Sequence, residues 1–301
     1  MSKKIVVIGS TNTDMVVRTR KLPAPGETIL GGEFFTNAGG KGANQAVAAA
    51  RLGGDVVFIA KTGNDVFGAQ SRALFAKENI DCQYVFVDTN TPSGVALITI
   101  DERGENCIVV ASGANNLLTT EDVMLAKQQL EQAEIVLMQL ETPLDTVTQV
   151  AQAVNALNKK IILNPAPACP LPEDLLRCLY LITPNETEAE LLTGIKVVDE
   201  ASAHQAAQAL HRQGVQNVIV TMGSQGAYLY SEGQGELIAT VKVQAVDTTA
   251  AGDTFNGAIA AALADGKSLR QAVAFGNKAA AISVTRPGAQ SSVPYLHELL
   301  T

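Results

Sequence analysis

The segment DTTAAGDTFNG, residues 247–257, has the residue types needed to transfer a phosphoryl group to an alcohol. Apolar residues after Asp253 recur on one helical face, so a helix is predicted to begin near Asp253. The residues just before it are small, which leaves backbone N–H groups free to face an anion at the positive end of the helix: Ala250, Ala251 and Gly252. A carboxylate there can accept a proton from a hydroxyl while the N–H groups stabilise the transferring group. For this segment taken alone, an ordinary Asp helix cap is the favoured alternative.

The segment NAGGKGAN, residues 37–44, is a glycine-rich turn that opens another helix. It is not a Walker A loop, because Lys41 is followed by Gly42 rather than by Ser or Thr. The G-x-G-x-x-G spacing of a dinucleotide-binding loop is also missing, which argues against a dehydrogenase. Glycines let a ligand approach the backbone closely, and Asn44 could hydrogen-bond hydroxyl groups. A close turn between a strand and a helix, without a ligand, is an equal alternative.

Two more segments have both a structural and a functional interpretation. TMGSQG, residues 221–226, joins two strand-like runs and is either a β-turn or a loop that contacts nucleotide phosphates through its N–H groups. Asn185 and Glu188 have the spacing of a helix capping box. Because they follow a predicted strand, they also lie at the edge of the sheet where ligands bind, so both roles can coexist.

Isolated polar residues complete the set of candidates. Asp14 and Glu141 each follow an apolar run, so both carboxylates belong at the carboxyl ends of strands, where they could hold vicinal hydroxyls. Taken alone, each is more often a solvated loop acid. His204 and His211 lie on one predicted helix with no third ligand nearby, which indicates solvent-facing side chains rather than a metal site.

These candidates depend on a regular alternation of strands and helices. Short apolar runs predict strands at Ile5–Ile8, Val56–Ala60, Ile135–Met138, Ile161–Leu163, Tyr180–Thr183 and Val218–Thr221. Helices are predicted at Gly42–Leu52, Gly68–Asn79, Thr146–Leu157, Glu186–Leu192 and Ser202–Gln213. Apolar strands separated by helices are typical of a parallel sheet that is covered on both faces. We therefore predict an α/β fold, a three-layer αβα sandwich around a mostly parallel sheet.

Two stretches interrupt this alternation. Residues 14–35 have no helical period, and residues 94–111 read as a β-hairpin that turns at Asp101–Gly104. We predict that they pair as a small β-sheet lid, and a small sheet with an open face needs a partner. The predicted boundaries are 1–13, 38–91 and 112–301 for the large α/β domain and 14–37 and 92–111 for the lid.

The composition argues against several classes of protein. The 301 residues carry a net charge of −8, with 22 Lys and Arg against 30 Asp and Glu, so neither nucleic acid nor an anionic membrane is expected as a partner. Hydrophobic residues make up 47% and charged residues 17%, so a large core can be buried. We find no apolar run long enough for a signal peptide or a membrane span, and the 4 cysteines form no C-x-x-C pair. We therefore expect a cytoplasmic protein with reduced, buried cysteines.

Taken together and in this order, five motifs resemble those of the ribokinase-like (PfkB) family of carbohydrate kinases. They are Asn12-Thr-Asp14, Gly39–Asn44, Asn185-Glu-Thr-Glu188, Thr221–Gly226 and Asp247–Gly257. The resemblance extends over the whole chain, including residues 164–168 and 284–294. It implies a sandwich with a β-sheet lid and transfer of the ATP γ-phosphoryl group to the 5-hydroxyl of D-ribose. Related alternatives are 2-deoxyribose or another sugar as the substrate, and a different class is a non-catalytic sugar- or nucleotide-binding regulator.

The resemblance also implies roles for individual residues. Asp253 would be the general base, with the N–H groups of Ala250, Ala251, Gly252 and Asp253 as the anion hole. The sugar would contact Asn12, Thr13, Asp14, Gly40, Lys41, Gly42, Ala43, Asn44, Glu141 and Asp253. The nucleotide would contact Asn185, Thr221, Met222, Gly223, Ser224, Gln225, Gly226, Gly252 and Asn277.

Two cations and a dimer are implied in the same way. Mg²⁺ would accompany ATP near Asn185 and Glu188, through water. A monovalent cation, K⁺ by preference, would be held by Asp247, Thr249, Ser283, Arg286, Gly288 and Ser292, several of them through backbone carbonyls. The family often dimerises through its lids, so a homodimer is expected. One departure is Ala250, where the family commonly has Gly, because a Cβ restricts the backbone of the anion hole.

Overall fold

The structure is a computed structural model that describes residues 4–30 and 32–300. Its strands are β1 (Lys4–Ile8), β2 (Asn12–Arg18), β3 (Glu33–Gly39), β4 (Asp55–Gly63), β5 (Val85–Asp88), β6 (Gly94–Ile100), β7 (Asn106–Ala111), β8 (Ala133–Met138), β9 (Lys160–Leu163), β10 (Leu181–Ile182), β11 (Asn217–Thr221), β12 (Ala227–Ser231) and β13 (Gln234–Ile238).

The helices alternate with these strands along most of the chain. They are α1 (Lys41–Arg51), α2 (Val66–Lys77), α3 (Thr120–Met124), α4 (Lys127–Gln132), α5 (Leu144–Ala156), α6 (Glu173–Leu176), α7 (Glu186–Thr193), α8 (Glu200–Arg212), α9 (Ala251–Ala264), α10 (Leu269–Ser283) and α11 (Leu296–Leu299). Short 3-10 helices lie at Gly113–Leu117, Gly223–Gln225 and Gln290–Ser292.

The larger sheet has nine strands in the order β13-β12-β11-β10-β9-β8-β1-β4-β5. Neighbouring strands are parallel from β11 through β5, whereas β12 and β13 are antiparallel. All six strands predicted from apolar runs lie in this sheet. The prediction of a mostly parallel sheet is therefore confirmed.

Alternate residues of the strands face two separate helical layers. In β1, Ile5 and Val7 belong to a core that includes α1, α9 and α10, whereas Val6 and Ile8 belong to a core that includes α5 and α8. Side chains alternate along a strand, so one apolar run supplies both cores. This arrangement confirms the three-layer sandwich.

Helices α1 and α9 pack closely against each other because the residues between them are small. A Cβ on Gly257 would come within 2.5 Å of the Cβ of Ala48, so only glycine allows this approach. The contact lies one turn after Asp253 in α9 and one turn after Asn44 in α1. It therefore brings the first turns of both helices to the same place.

A buried ion pair fixes the other end of α1. The guanidinium of Arg51 binds the carboxylate of Glu78 through its Nη2 and Nε atoms, at 2.6 and 3.0 Å. Its Nη1 also donates to the backbone carbonyls of Gln290 and Val293, at 2.6 and 2.9 Å. Arg51 thereby holds the C-terminal segment against α1.

The smaller sheet has four strands in the order β3-β2-β6-β7. β6 and β7 form the predicted antiparallel hairpin, and β2 pairs with β6 in parallel, which joins the two stretches that interrupt the alternation. Its outer strand β7 is exposed along its whole length. The exact domain boundaries given above stay a prediction.

Two expectations about side-chain environments are wrong. His204 and His211 are half-buried rather than solvent-facing, because each ring packs against Tyr230 and each Nδ1 has a hydrogen-bond partner. All four cysteines are free, as expected, but none is buried: Cys107 is exposed on β7, and Cys82, Cys169 and Cys178 are half-buried. Among the described residues, no helix has both the length and the apolar character needed to span a bilayer.

Candidate active site

Most of the functional candidates meet at the carboxyl edge of the larger sheet. β8, β9 and β10 are each followed by a buried polar residue, Gln139, Asn164 and Thr183. The first turns of α1 and α9 reach this edge, because Gln45 bonds to Asn164 and to Asp253. Parallel strands end at one edge, so residues distant in sequence come together here.

Asp253 lies in the first turn of α9 and is 7% exposed. Its Oδ2 accepts a hydrogen bond from Asn44 Nδ2 and its Oδ1 accepts one from Gln45 Nε2, both at 2.9 Å. The cap residue of α9 is Ala250, so the alternative of an ordinary Asp cap is wrong. Since a carboxylate offers about four lone-pair sites, roughly two remain for a substrate hydroxyl.

The N–H groups at the start of α9 form a site that suits an anion. The N–H of Ala251 donates to the carbonyl of Thr248, at 3.2 Å. Within the described part of the chain, the N–H groups of Ala250, Gly252 and Asp253 have no partner in the protein and are the available donors. A Cβ on Gly252 would meet no atom within 4 Å, so the space in front of these donors is open.

Ala250 adopts the backbone conformation that its position requires despite its Cβ. Its φ of 58° and ψ of 17° lie in the left-handed region. That conformation costs an L-residue roughly 1–2 kcal/mol. The Ala at this position therefore strains the loop without changing its path into α9.

Several residues that are predicted to contact the nucleotide or the transferring phosphoryl group line a cleft in front of α9, which we call the phosphate-side cleft. It is lined by Lys41, Asn164, Ala166, Thr183, Asn185, Glu188, Thr221, Thr248, Ala250, Ala251, Gly252, Asp253 and Asn256. Asn185 and Glu188 form the predicted capping box: Asn185 Oδ1 accepts from the Glu188 N–H at 2.8 Å, and Glu188 Oε2 accepts from the Asn185 N–H at 2.9 Å. The structural role of this pair is thus confirmed, and both side chains still line the cleft.

The segment 221–226 is a turn at the edge of the same cleft. Thr221 ends β11, the following residues form a 3-10 helix, and Met222 N–H donates to the Gly226 carbonyl at 2.8 Å. Gly223, Ser224 and Gln225 are exposed, whereas Met222 is buried. The β-turn interpretation is therefore correct, and the exposed backbone at its tip is available to a ligand.

A second cleft lies between the start of β2 and the end of β7 in the smaller sheet and the residues that follow β8. It is lined by Asn12, Val110, Ser112, Asn115, Asn116, Leu140, Glu141, Thr142 and Pro167. Glu141 Oε2 accepts hydrogen bonds from Ser10 Oγ at 2.5 Å and from the Lys41 N–H at 3.0 Å. These bonds tie the glycine-rich turn to the end of β8.

The backbone of the glycine-rich turn is held by Ser10. Ser10 Oγ accepts from the Gly42 N–H at 3.3 Å, and the Ser10 carbonyl accepts from the Ala43 N–H at 2.8 Å. Gly40 precedes α1 as its cap residue. Two of the predicted sugar contacts, Thr13 and Ala43, are buried.

Lys41 lies within electrostatic reach of four carboxylates, those of Asp14, Glu141, Glu188 and Asp253. Burial raises the pKa of Asp14 to about 6, and the nearby charges of Glu141 and Asp253 act in the same direction. Burial opposes the charge of Lys41, but the surrounding carboxylates, Asp253 first, raise its pKa above the usual range. Burial also raises the pKa of Glu188. The site therefore has a surplus of negative charge around one lysine.

The predicted monovalent-cation residues come together only in part. Asp247 accepts hydrogen bonds from the N–H groups of Thr249, at 2.9 Å, and Gly288, at 2.8 Å, which joins the loop before α9 to the C-terminal segment. These bonds lower the pKa of Asp247 although burial opposes them. The side chain of Arg286 pairs with Glu298, so only its backbone carbonyl could hold a cation.

Asn277 serves a structural purpose in this structure. It is buried in α10, and its Nδ2 donates to the carbonyl of Ile238 at 2.7 Å. Its own carbonyl accepts from Thr240 Oγ1 at 3.2 Å. It thereby fixes the end of β13.

Sequence reasoning missed several polar residues that support the site. Gln45, Gln139, Asn164 and Gln290 are all buried and hydrogen-bonded close to Asp253. A signal existed for Gln139, which is a polar residue directly after the apolar run that forms β8. Asn164 lies in residues 164–168, which are part of the family resemblance, but the resemblance implied no role for it.

Comparison with known proteins agrees with this geometry. Residues 2–296 match the model of the "pfkB family carbohydrate kinase". The chain belongs to the pfkB family of carbohydrate kinases. It is 46% identical over 300 residues to a ribokinase of Haemophilus influenzae, covering 100% of this chain and 98% of the relative. It is 36% identical over 295 residues to a deoxyribokinase of Salmonella typhi, covering 98% and 96%.

The solved structures of the pfkB family share this fold. The structure of an Arabidopsis thaliana ribokinase complexed with ribose and ATP superposes with a TM-score of 0.92 at 34% identity, covering 100% of this chain and 98% of that one. This likeness covers both sheets. The pfkB kinase described here is therefore a two-sheet α/β enzyme of the same architecture.

The raised pKa of Asp14 predicts a pH dependence of stability. A carboxyl whose pKa is raised in the folded state contributes stability at low pH that is lost as pH rises through about 6. We expect Asp14→Asn, which stays neutral, to gain about 1–2 kcal/mol in free energy of unfolding relative to wild type between pH 4 and pH 7. Urea unfolding at both pH values measures this difference.

Asp88 provides a control with the opposite sign. The N–H groups of Asn90 and Thr91 lower the pKa of its carboxyl below 3.8, so the stability of Asp88→Asn relative to wild type should fall as pH rises to about 4 and change little between pH 4 and pH 7. If the difference in free energy of unfolding between Asp14→Asn and wild type does not change with pH, the electrostatic description of the site is contradicted.

Proposed function

We propose that this pfkB kinase transfers the γ-phosphoryl group of ATP to the 5-hydroxyl of D-ribose, giving ribose 5-phosphate and ADP. The observation that carries the proposal is the position of Asp253: a buried carboxylate at the N-terminus of α9, with open N–H donors beside it. The full-length identity with a ribokinase and the fold of a ribokinase complexed with ribose and ATP support the substrates.

The sugar is held by two carboxylates, of which Asp14 lies inside β2 and not, as the sequence predicted, at the carboxyl end of a strand. Asp14 lies in β2 and Glu141 follows β8, so they approach the glycine-rich turn from two directions. An ionised carboxylate accepts hydrogen bonds from two hydroxyls, which suits the vicinal diol of ribose. Asn12, Asn44 and the backbone of residues 40–43 complete the set of sugar contacts in this proposal.

Asp253 acts as the general base. As the 5-hydroxyl oxygen forms a bond to the γ-phosphorus, its proton passes to the Asp253 carboxylate and the bond from the γ-phosphorus to the bridging oxygen of ADP breaks. The N–H groups of Gly252 and Asp253 and the positive end of α9 stabilise the charge on the transferring group. Lys41, which stays protonated, contributes a positive charge to the same region.

The nucleotide lies along the phosphate-side cleft. The N–H groups of Gly223 and Ser224 and the side chain of Asn185 face its phosphates, and Asn277 acts indirectly by fixing β13. Among the described residues, no cluster of three acidic, His or Cys side chains could hold a metal ion alone. Glu188 and Asn185 offer oxygen ligands of the type that Mg²⁺ prefers, with phosphate and water completing its coordination. Bound Mg²⁺ neutralises charge on the ATP phosphates.

We further propose that a monovalent cation, K⁺ by preference, binds beside the loop before α9. Asp247 and the backbone between residues 283 and 292 supply oxygen atoms there, and Asp247 already joins the two segments. A cation at this junction orders the loop that carries the N–H donors. Ser283 and Ser292 are buried at the same junction.

Features of the surface support a proposal for the assembly and the location. We propose the domain boundaries given above, with the smaller sheet as a lid, and a homodimer in which the lids meet. Large apolar side chains on the lid are exposed: Phe34, Leu97, Ile108, Val109 and Val110. By the strand register, Phe34, Leu97 and Val109 lie on one face of the lid and Ile108 and Val110 on the other, and exposed apolar side chains on a sheet face are typical of an interaction site. The free cysteines agree with a cytoplasmic location.

ADP release across a panel of sugars tests the function. With Mg²⁺-ATP and K⁺, we expect kcat/KM for D-ribose to exceed that for 2-deoxyribose and fructose by about tenfold or more, since losing one buried hydroxyl contact leaves polar groups unpaired. Replacing K⁺ by Na⁺ should lower kcat. A preference for 2-deoxyribose would favour the deoxyribokinase alternative, and no ADP release with any sugar would favour a non-catalytic regulator.

Gly252→Ala tests the function of the N–H donors at the start of α9 without lowering the stability of the protein. The new Cβ meets no protein atom and sits in a helix, where Ala is favoured over Gly by about 1 kcal/mol, so the melting temperature should not fall. Gly252 lines the phosphate-side cleft, so the added methyl group takes space that the phosphates would occupy beside the N–H donors, and we expect kcat/KM for ATP to fall about 100-fold.

Ala250→Gly in the same loop is the matched control. It relieves the left-handed strain of Ala250 and leaves the N–H donors in place, so activity should be retained and stability unchanged or higher. Full activity of Gly252→Ala would show that the phosphoryl group does not approach α9 at this point.

A further inference from the structure

Each oxygen of the Asp253 carboxylate accepts a hydrogen bond from a chain of two buried amide side chains. On one side, Gln139 Nε2 donates to Gln45 Oε1 at 2.7 Å, and Gln45 Nε2 donates to Asp253 Oδ1 at 2.9 Å. On the other side, Gln290 Nε2 donates to Asn44 Oδ1 at 3.1 Å, and Asn44 Nδ2 donates to Asp253 Oδ2 at 2.9 Å. Every donor in the chain points towards the carboxylate.

The direction of this chain fixes the orientation of each amide. Turning over the amide of Gln45 would place its oxygen against the acceptor oxygens of Asp253 and Asn164, to which its Nε2 now donates at 2.9 Å each. The same holds for Asn44, whose oxygen and nitrogen each have one defined partner. Asp253 therefore cannot rotate without breaking hydrogen bonds on both sides.

The outer ends of the chain show that this arrangement has a cost. Among the described residues, Gln139 Oε1 and Gln290 Oε1 are buried without a hydrogen-bond partner in the protein. A buried polar atom without a partner is unfavourable by roughly 1–3 kcal/mol. Both glutamines thus use their donors towards Asp253 and leave their acceptors unpaired, which is unexpected if the chain served stability alone.

Gln45 has the central place in this chain, and it does not line either cleft. It is 0% exposed, and its neighbour Asn44 rather than Gln45 belongs to the predicted sugar contacts. We propose that Gln45 is a positioning residue for the phosphoryl-transfer reaction: its amide, oriented by Gln139, holds the Asp253 carboxylate so that its free lone pairs face the substrate hydroxyl. This inference rests on the proposed function of Asp253 as the base.

Gln45→Met tests the proposal, because it keeps the length of the side chain and removes the amide. A base displaced by about 1 Å can lose on the order of 100-fold in rate, so we expect kcat to fall by about that factor. Because Gln45 touches neither substrate, KM for ribose and for ATP should stay within about threefold of wild type.

Asn217→Leu is the matched control. Asn217 is also a buried amide, it donates to the Tyr180 carbonyl at 2.9 Å and accepts from Ser231 Oγ at 2.6 Å, and it begins β11 at the opposite edge of the sheet from the site. Both Asn217→Leu and Gln45→Met should lower the melting temperature. Asn217→Leu should nevertheless leave kcat unchanged. An equal loss of kcat in Asn217→Leu would overturn the positioning role.

The effect must also operate through Asp253. In an Asp253→Asn background, Gln45→Met should change the residual rate by no more than about twofold, because the group that it positions is gone. Independent, multiplying losses would overturn the proposal, as would wild-type kcat in Gln45→Met. If Gln45→Met does not fold, Gln139→Met carries the test, with an expected loss of kcat of about tenfold.

The two proposals fail in different ways. An inactive wild-type protein with every sugar overturns the proposed function and the positioning role together. An active wild-type enzyme with an unaffected Gln45→Met variant overturns the positioning role alone.

Discussion

The placement of one buried carboxylate, that of Asp253, is the constraint on which the rest of this structure depends. The carboxylate must lie at the start of α9, where N–H groups are open, and it must also reach the sugar side of the site. Close packing of α1 and α9 makes this possible, because Gly257 lets Ala48 approach and so brings Asn44 and Gln45 to Asp253. The sheet edge supplies Gln139 and Asn164 behind them.

The acidic character of the chain agrees with a site that binds phosphate mainly through its backbone. The net charge is −8, and four carboxylates lie within electrostatic reach of the single lysine at the centre of the site. Such a site favours sugar hydroxyls and metal-bound phosphates over free anions. Helix N-termini and turn N–H groups then take the role that Lys and Arg clusters have in nucleic-acid-binding proteins.

Much of the fold could be predicted because its signals are local. Apolar runs such as Ile135–Met138 give strands, and the interruption at residues 94–111 gives a hairpin of the second sheet. The start of a helix near Asp253 could also be predicted from the apolar period that follows it, and the capping box of Asn185 and Glu188 from their spacing. Gln45 and Gln290 could not be found in this way, because 246 positions separate Asn44 from Gln290 and only the tertiary fold brings them together.

The role of Asp253 as the base is best tested by a crystal structure with D-ribose, ADP, Mg²⁺ and aluminium fluoride. We expect the ribose 5-oxygen to lie about 2.6–3.2 Å from an Asp253 oxygen, with the metal fluoride facing the N–H groups of Gly252 and Asp253. A ribose whose 5-oxygen contacts another base, or a fluoride bound away from α9, would contradict it.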